Sequence, residues 1–149
     1  MNPRVVMLEV AARGLYWVIL AASVWVLLRG HNEPGGGFIG ALVAVSATVL
    51  WAVARSPGDA ARRLPLGSPR VLGAAGVLLG ALSGLPGVLA GGTFLTHLWW
   101  TLDLGITEVK LSTVLLFDLG VYLGVWGALA GYAIALLEVD PGAGRETRP

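Results

Sequence analysis

Apolar residues dominate four long stretches of the chain, and most charged residues collect in the segments between and around them. Residues 14–28 and 34–54 carry no charge at all. A helix needs about 20 residues to cross the roughly 30 Å hydrocarbon core of a bilayer, and each stretch has about that length. The pattern predicts an all-α integral membrane protein with four transmembrane helices and short loops, at approximately residues 5–28, 35–53, 71–89 and 111–137.

The segments outside these spans are short, so the sequence predicts one membrane domain over residues 1–149. Residues 55–69 form a loop rich in proline, glycine and arginine, and residues 138–149 form a polar tail. Residues 90–110 mix tryptophan and leucine with polar side chains. That mixture is typical of a short element at the membrane interface, and a buried contact with a partner protein fits it equally well.

The distribution of basic residues predicts the orientation of the chain. Four alternating spans place the N-terminus, the middle loop and the tail on one side, with Arg29 and Lys110 on the other. Because cytoplasmic segments are enriched in lysine and arginine, both termini are expected in the cytoplasm. Eight of the ten basic residues lie on that side: Arg4, Arg13, Arg55, Arg62, Arg63, Arg70, Arg145 and Arg148.

Composition agrees with a membrane protein and removes several kinds of site. Charged residues make up 13% of the chain, whereas soluble domains contain about a quarter. The chain has no cysteine and two histidines, which excludes thiolate chemistry and a histidine-rich metal cluster. The net charge of +1 gives no indication of nucleic-acid binding. We find no nucleophile–base or carboxylate pair, so no catalytic residue, cofactor or metal site is expected and the chain is not predicted to be an enzyme.

Small residues in the spans predict close helix packing, because they let membrane helices approach each other. These glycines pack either among the four helices or against other subunits. In the last span, Asp118 and the glycines lie on opposite sides of the helix, and a small bundle rarely covers both. We therefore expect the chain to be one subunit of a larger assembly. The glycine positions in the last two spans are 73, 76, 80, 84 and 87, then 120, 124, 127 and 131.

A polar, glycine-rich turn joins the first two spans. Its tight connection between two apolar helices favours a structured turn over a flexible linker. It formally matches G-x-G-x-x-G, but the strand before it and the acidic residue about 20 positions after it, which dinucleotide binding requires, are both missing. The turn is therefore either purely structural or a nest of N–H groups for an anion or water. Its sequence is Gly30-His31-Asn32-Glu33-Pro34-Gly35-Gly36-Gly37-Phe38-Ile39-Gly40.

Four polar side chains are candidates for an ion path or a subunit interface: Asp118, Tyr122, His31 and Glu33. An aspartate within a span must meet protein or water, so Asp118 either lines a path for H⁺ or Na⁺ or makes an interhelical hydrogen bond, with Tyr122 as one partner. Histidine titrates near neutral pH, so His31 either relays protons or caps backbone carbonyls.

The glycine turn and the segment 115–122 resemble two signatures of one protein family, the MnhB-type subunits of Mrp (Mnh) multisubunit Na⁺/H⁺ antiporters. The resemblance extends over essentially the whole chain. The family motif corresponds here to His31, Pro34, Gly35, Gly36, Gly37, Phe38 and Asp118.

The resemblance implies a multi-pass protein in the plasma membrane of a prokaryote, bound to the other subunits of a complex that exchanges cytoplasmic Na⁺ for external H⁺. The family's large subunits carry protons on lysines within broken helices. This chain has no lysine in a span, which implies an accessory role. The equivalent subunit of an energy-converting hydrogenase is the alternative within this class. A self-sufficient small channel or homo-oligomeric scaffold is a third hypothesis.

Overall fold

The computed structural model describes residues 3–30, 35–96, 99–103 and 108–139. Four helices in this part of the chain are long and apolar enough to cross a membrane, with bounds of Val10–Arg29, Gly37–Ala54, Pro69–Leu89 and Thr113–Glu138. The prediction of a helical membrane fold with four spans is thereby confirmed. The full set of helices is α1 (Pro3–Arg29), α2 (Gly37–Ala54), α3 (Pro57–Arg63), α4 (Pro69–Leu82), α5 (Leu85–Leu89) and α6 (Thr113–Glu138).

Helix α6 occupies the centre of the bundle. It packs along α4 on one side and along α2 on the other, while α1 packs mainly against α2. The buried core is formed by alanines of α2 together with a few large side chains, among them Tyr16, Trp51, Tyr122 and Trp126. Small residues on α2 allow its neighbours to approach closely, and the aromatic rings of α1, α2 and α6 fill the remaining space.

The contact between α4 and α6 is made by backbone on backbone. A Cβ atom added to Gly76 would overlap the amide nitrogen of Gly124, and one added to Gly127 would overlap the amide nitrogen of Gly73. A Cβ at Gly120 would lie 2.5 Å from the nitrogen of Gly80. Six glycines of the last two spans therefore pack against each other within the chain: Gly73, Gly76, Gly80, Gly120, Gly124 and Gly127.

This packing corrects one step of the argument by which the sequence predicted a larger assembly. The glycine side of α6 faces α4, while the opposite side, which carries Asp118 and Tyr122, faces α1 and the start of α2. The premise that four helices leave one of these sides uncovered is wrong, because α6 lies between its neighbours rather than at the edge of the bundle. The burial of both sides of α6 within the chain therefore provides no evidence for a partner protein.

The outer faces of α1 and α4 are apolar and exposed. Trp17, Trp25 and Val77 are exposed by 58%, 68% and 71%. Soluble monomers rarely expose continuous apolar surface of this kind, so these faces require lipid or protein around them.

An aromatic–arginine stack ties the middle loop to the bundle. The loop contains α3, which begins after Ser56, whose hydroxyl accepts a hydrogen bond from the Asp59 amide at 3.1 Å. At the other end of α3, the Arg63 guanidinium lies 3.7 Å from the centre of the Trp51 ring and 5.5 Å from that of Tyr16. Cation–π attraction of this kind anchors the loop to α1 and α2.

The third span is interrupted, and the segment after it contains a hairpin. A turn at residues 83–84 separates α4 from α5. Two antiparallel strands follow, β1 (Trp99–Asp103) and β2 (Glu108–Ser112), with Thr101 opposite Lys110. From the sequence we expected an interfacial element here, without assigning strands. The hairpin leads directly into α6, which begins at Thr113 rather than near residue 111.

Candidate functional site

The glycine turn folds back onto the end of α1. The amide of Gly36 donates to the carbonyl oxygen of Val26 at 3.2 Å, and the amide of Gly30 donates to that of Leu27 at 3.3 Å. Gly36 has a φ of 92°, a conformation that residues with a side chain rarely adopt, and it directly precedes the first residue of α2. The turn therefore fixes how α2 starts relative to α1.

Asp118 of α6 lies against this turn. Its carboxylate oxygen Oδ2 is 3.5 Å from the position that a Cβ at Gly36 would occupy, and a Cβ at Gly37 would overlap the backbone carbonyl oxygen of Asp118. Gly36 and Gly37 are both buried. The two signatures found in the sequence thus meet in space, and glycine at position 37 allows their backbones to touch.

The surroundings of Asp118 are suited to a negative charge. The first amides of a helix have no partner within the helix, and the aligned peptide dipoles make that end partly positive. Asp118 is placed beside Gly36, immediately before the first turn of α2. The site therefore places one partly buried carboxylate beside the partly positive end of a helix.

Tyr122, one turn along α6, bonds to α1 rather than to Asp118. Its hydroxyl lies 2.8 Å from the hydroxyl oxygen of Ser23. Ser23 itself donates to the carbonyl oxygen of Leu20 at 2.7 Å. Because a serine hydroxyl has one hydrogen, Tyr122 is the donor in the bond to Ser23. This bond joins α6 to α1 within the core.

A second interhelical bond lies another turn along the same side of α6. The indole nitrogen of Trp126 donates to the Thr48 hydroxyl at 2.9 Å, and that hydroxyl donates to the carbonyl oxygen of Ala44 at 3.1 Å. The rings of Tyr122 and Trp126 meet edge to face with centres 5.6 Å apart. One side of α6 thus carries a carboxylate followed by two hydrogen-bonded aromatic residues.

The structure brings together part of the predicted set. Gly30, Gly35, Gly36, Gly37 and Asp118 are adjacent at the turn, and Tyr122 lies one turn away on α6. The side chain of Phe38 is 55% exposed and faces outward from the bundle. The other predicted residues lie outside the described part of the chain: His31, Asn32, Glu33 and Pro34.

Sequence reasoning missed Ser23 and Thr48, the partners of the two aromatic residues. Both are buried, with exposures of 0% and 2%. The available signal was their position, since each is a hydroxyl residue within an otherwise apolar span, and such residues form hydrogen bonds between membrane helices. No group of three or more potential metal ligands comes together among the described residues.

Comparison with known proteins gives a consistent family. A model of the domain related to the MnhB subunit of Na⁺/H⁺ antiporter matches residues 7–131. The Na⁺/H⁺ antiporter B subunit of Alkalihalophilus pseudofirmus is 35% identical over 136 residues, covering 91% of this chain and 94% of the relative. The corresponding B subunit of Bacillus subtilis is 40% identical over 121 residues, covering 80% of this chain and 84% of the relative.

A solved structure gives the same result. A chain in the Mrp complex from Dietzia sp. superposes with a TM-score of 0.77 at 36% identity. The match covers 99% of this chain and 15% of the longer Dietzia chain, so the fold described above is one part of that larger chain. The family suggested by the glycine turn and the Asp118 segment is confirmed. The chain belongs to the family of domains related to the MnhB subunit of Na⁺/H⁺ antiporters.

Proposed function

We propose that the chain is an accessory membrane subunit of a multisubunit Na⁺/H⁺ antiporter in the plasma membrane of a prokaryote. The observation that carries this proposal is the near full-length similarity to proteins named as B subunits of Na⁺/H⁺ antiporters. The similarity to part of an Mrp complex chain supports hetero-oligomeric partners. The exposed apolar faces of α1 and α4 offer surface for those partners and for lipid.

The proposed role is accessory and non-catalytic. The only lysine of the chain, Lys110, belongs to β2 and not to a membrane-spanning helix. Asp118 is the one acidic residue in the interior of a described span. Charged residues inside membranes mark ion pathways, so Asp118 is the group by which this chain contributes to a path for H⁺ or Na⁺. His31 and Glu33 belong to the same sequence signature as Gly36 and Gly37, which lie beside Asp118, and this supports extending the path to them.

Purification from native membranes tests this assignment. The tagged chain, extracted with a mild detergent, is expected to bring down several different membrane proteins and to restore Na⁺/H⁺ antiport to everted vesicles of a strain that lacks the chain. Removal of the chain alone is expected to abolish antiport by the remaining subunits. Recovery of the chain solely as a homo-oligomer, together with unchanged antiport in its absence, would contradict the proposal.

We also propose that residues 1–149 form a single domain with both termini in the cytoplasm, on the basis of the distribution of arginines. The cysteine-free sequence allows a direct test by single cysteines at Arg62, in α3, and Thr101, in β1. A membrane-impermeant maleimide added to intact cells is expected to label position 101 and to leave position 62 unlabelled until the membrane is opened. The reverse pattern would invert the orientation.

A further inference from the structure

A cleft of about 630 Å³ opens between the start of α4 and the end of α6. Its floor is made of backbone and small side chains, including Gly73, Gly127 and Ala128. A second, apolar cavity of about 400 Å³ lies along the same two helices, and its lining includes Gly76 and Gly124. Because α4 and α6 touch through glycines, no side chains fill the groove between them. A groove of this size within a membrane is filled by lipid or by another protein.

The mouth of the cleft carries two charges of opposite sign. Arg70, the second residue of α4, and Glu138, the last residue of α6, both line it. Neither makes an ion pair or a side-chain hydrogen bond within the described part of the chain. Ser68, which precedes α4, also lines the cleft, and its hydroxyl makes no capping bond.

The helix ends reinforce these charges. The start of α4 is the positive end of its peptide dipole, and the end of α6 is the negative end of its own. Since both ends border the same cleft, its mouth has a positive pole at Arg70 and a negative pole at Glu138. A purely anionic group would be attracted to the first pole and repelled by the second. A zwitterionic group, which carries one positive and one negative charge, is attracted to both poles.

We propose that this cleft binds a zwitterionic phospholipid with a primary ammonium group, of the phosphatidylethanolamine type. The phosphate is held by Arg70, by the Ser68 hydroxyl and by the free backbone amides of Arg70 and Val71. The ammonium group donates to the carboxylate of Glu138. One acyl chain lies in the groove over Gly73 and Gly127 and continues into the cavity lined by Gly76 and Gly124. This inference goes beyond the antiport function and does not depend on it.

Lipid titration of the purified complex tests the headgroup assignment. The complex is stripped of lipid by detergent exchange and titrated with dioleoyl phosphatidylethanolamine or dioleoyl phosphatidylglycerol, with occupancy read by native mass spectrometry. We expect phosphatidylethanolamine to bind more tightly. Glu138→Gln is expected to weaken its binding about fivefold, the effect of about 1 kcal/mol for one charge near the membrane surface, and to reduce the preference over phosphatidylglycerol. Arg70→Gln is expected to weaken both lipids.

Matched controls come from the neighbouring loop. Asp59→Asn and Arg62→Gln remove the same charges from exposed positions that do not line the cleft. Neither is expected to change the binding of either lipid. An unchanged preference between the two lipids in Glu138→Gln would overturn the proposal.

A groove-filling variant separates lipid from protein as the occupant. Ala128 is exposed and lines the cleft, so Ala128→Phe places a ring in the path of the acyl chain. It is expected to weaken binding of both lipids while all subunits remain in the complex. Leu129→Phe, one residue along and outside the lining, is the control. Loss of a subunit from the Ala128→Phe complex would identify the groove as a protein interface and overturn the lipid assignment, leaving the proposed function untouched.

Discussion

The two sides of α6 pack by different means. Toward α4 the contact is glycine on glycine, and the atoms nearest to the facing glycines are backbone atoms. Toward α1 and α2, the same helix presents a carboxylate at the glycine turn and two aromatic residues that donate hydrogen bonds to Ser23 and Thr48. Shape alone holds the first side, whereas the second combines shape with directional bonds. A polar side chain on a membrane helix therefore marks the side of the helix that can have a role beyond packing.

The largest effect is expected at the turn, from Gly37→Leu. A Cβ at this position would overlap the Asp118 carbonyl oxygen, which belongs to the backbone and cannot move aside. The start of α2 must then separate from α6, so we expect the amount of assembled complex to fall severely. Blue native electrophoresis of membranes measures this.

Gly14→Leu is the control for that change. Gly14 is a helical glycine of α1 with nothing within 4 Å of an added Cβ. Assembly is expected to remain close to wild type. If the complex with Gly37→Leu assembles fully and loses only the coupling of Na⁺ to H⁺ transport, Gly37 acts in transport and not in packing.

A smaller effect is expected on the α4 side, from Gly76→Ala. The added methyl group would overlap the Gly124 amide nitrogen, forcing α4 away from α6. Overpacking of this kind costs about 1–3 kcal/mol. Gly80→Ala, one turn along α4 with nothing within 4 Å of its added Cβ, makes the same chemical change without a clash. The thermal midpoint of the purified complex is expected to drop for Gly76→Ala and not for Gly80→Ala. Equal midpoints of the two variants would contradict the close approach of α4 and α6 at Gly76.

The smallest effect is expected from a single interhelical bond. Trp126→Phe removes the donor to Thr48, and bonds of this type contribute about 1 kcal/mol in membrane proteins. Thr48→Val removes the acceptor while keeping a branched side chain, and it completes a double-mutant cycle with Trp126→Phe. Because the two side chains share one bond, the double variant is expected to lose less stability than the sum of the two single variants when unfolding is followed in mixed micelles. Additive losses would contradict the assigned bond.

Much of this architecture was predictable from the sequence. The length of the apolar stretches indicated the four spans, and the family resemblance singled out Gly37 and Asp118 without predicting that they meet. The order of helices around α6 was not predictable, because glycine periodicity marks a close-packing face without identifying the helix that packs on it.

The hairpin and the hydroxyl partners were missed for different reasons. Residues 99–103 and 108–112 are short segments rich in tryptophan, leucine and valine, which fit an interfacial element as well as a strand. A single hydroxyl residue in an apolar span does not reveal its hydrogen-bond partner. The roles of Ser23 and Thr48 therefore became clear only from the packing of α1 and α2 against α6.

One measurement decides most directly whether the polar side of α6 serves transport. Asp118→Asn keeps the size of the side chain and most of its hydrogen bonding but removes the charge beside the start of α2. Assembly and Na⁺/H⁺ antiport are measured on the same membranes, the second as a function of pH. We expect normal assembly with antiport lost or its pH dependence shifted. Wild-type antiport at every pH in a fully assembled complex would show that the charge of Asp118 has no part in the ion path.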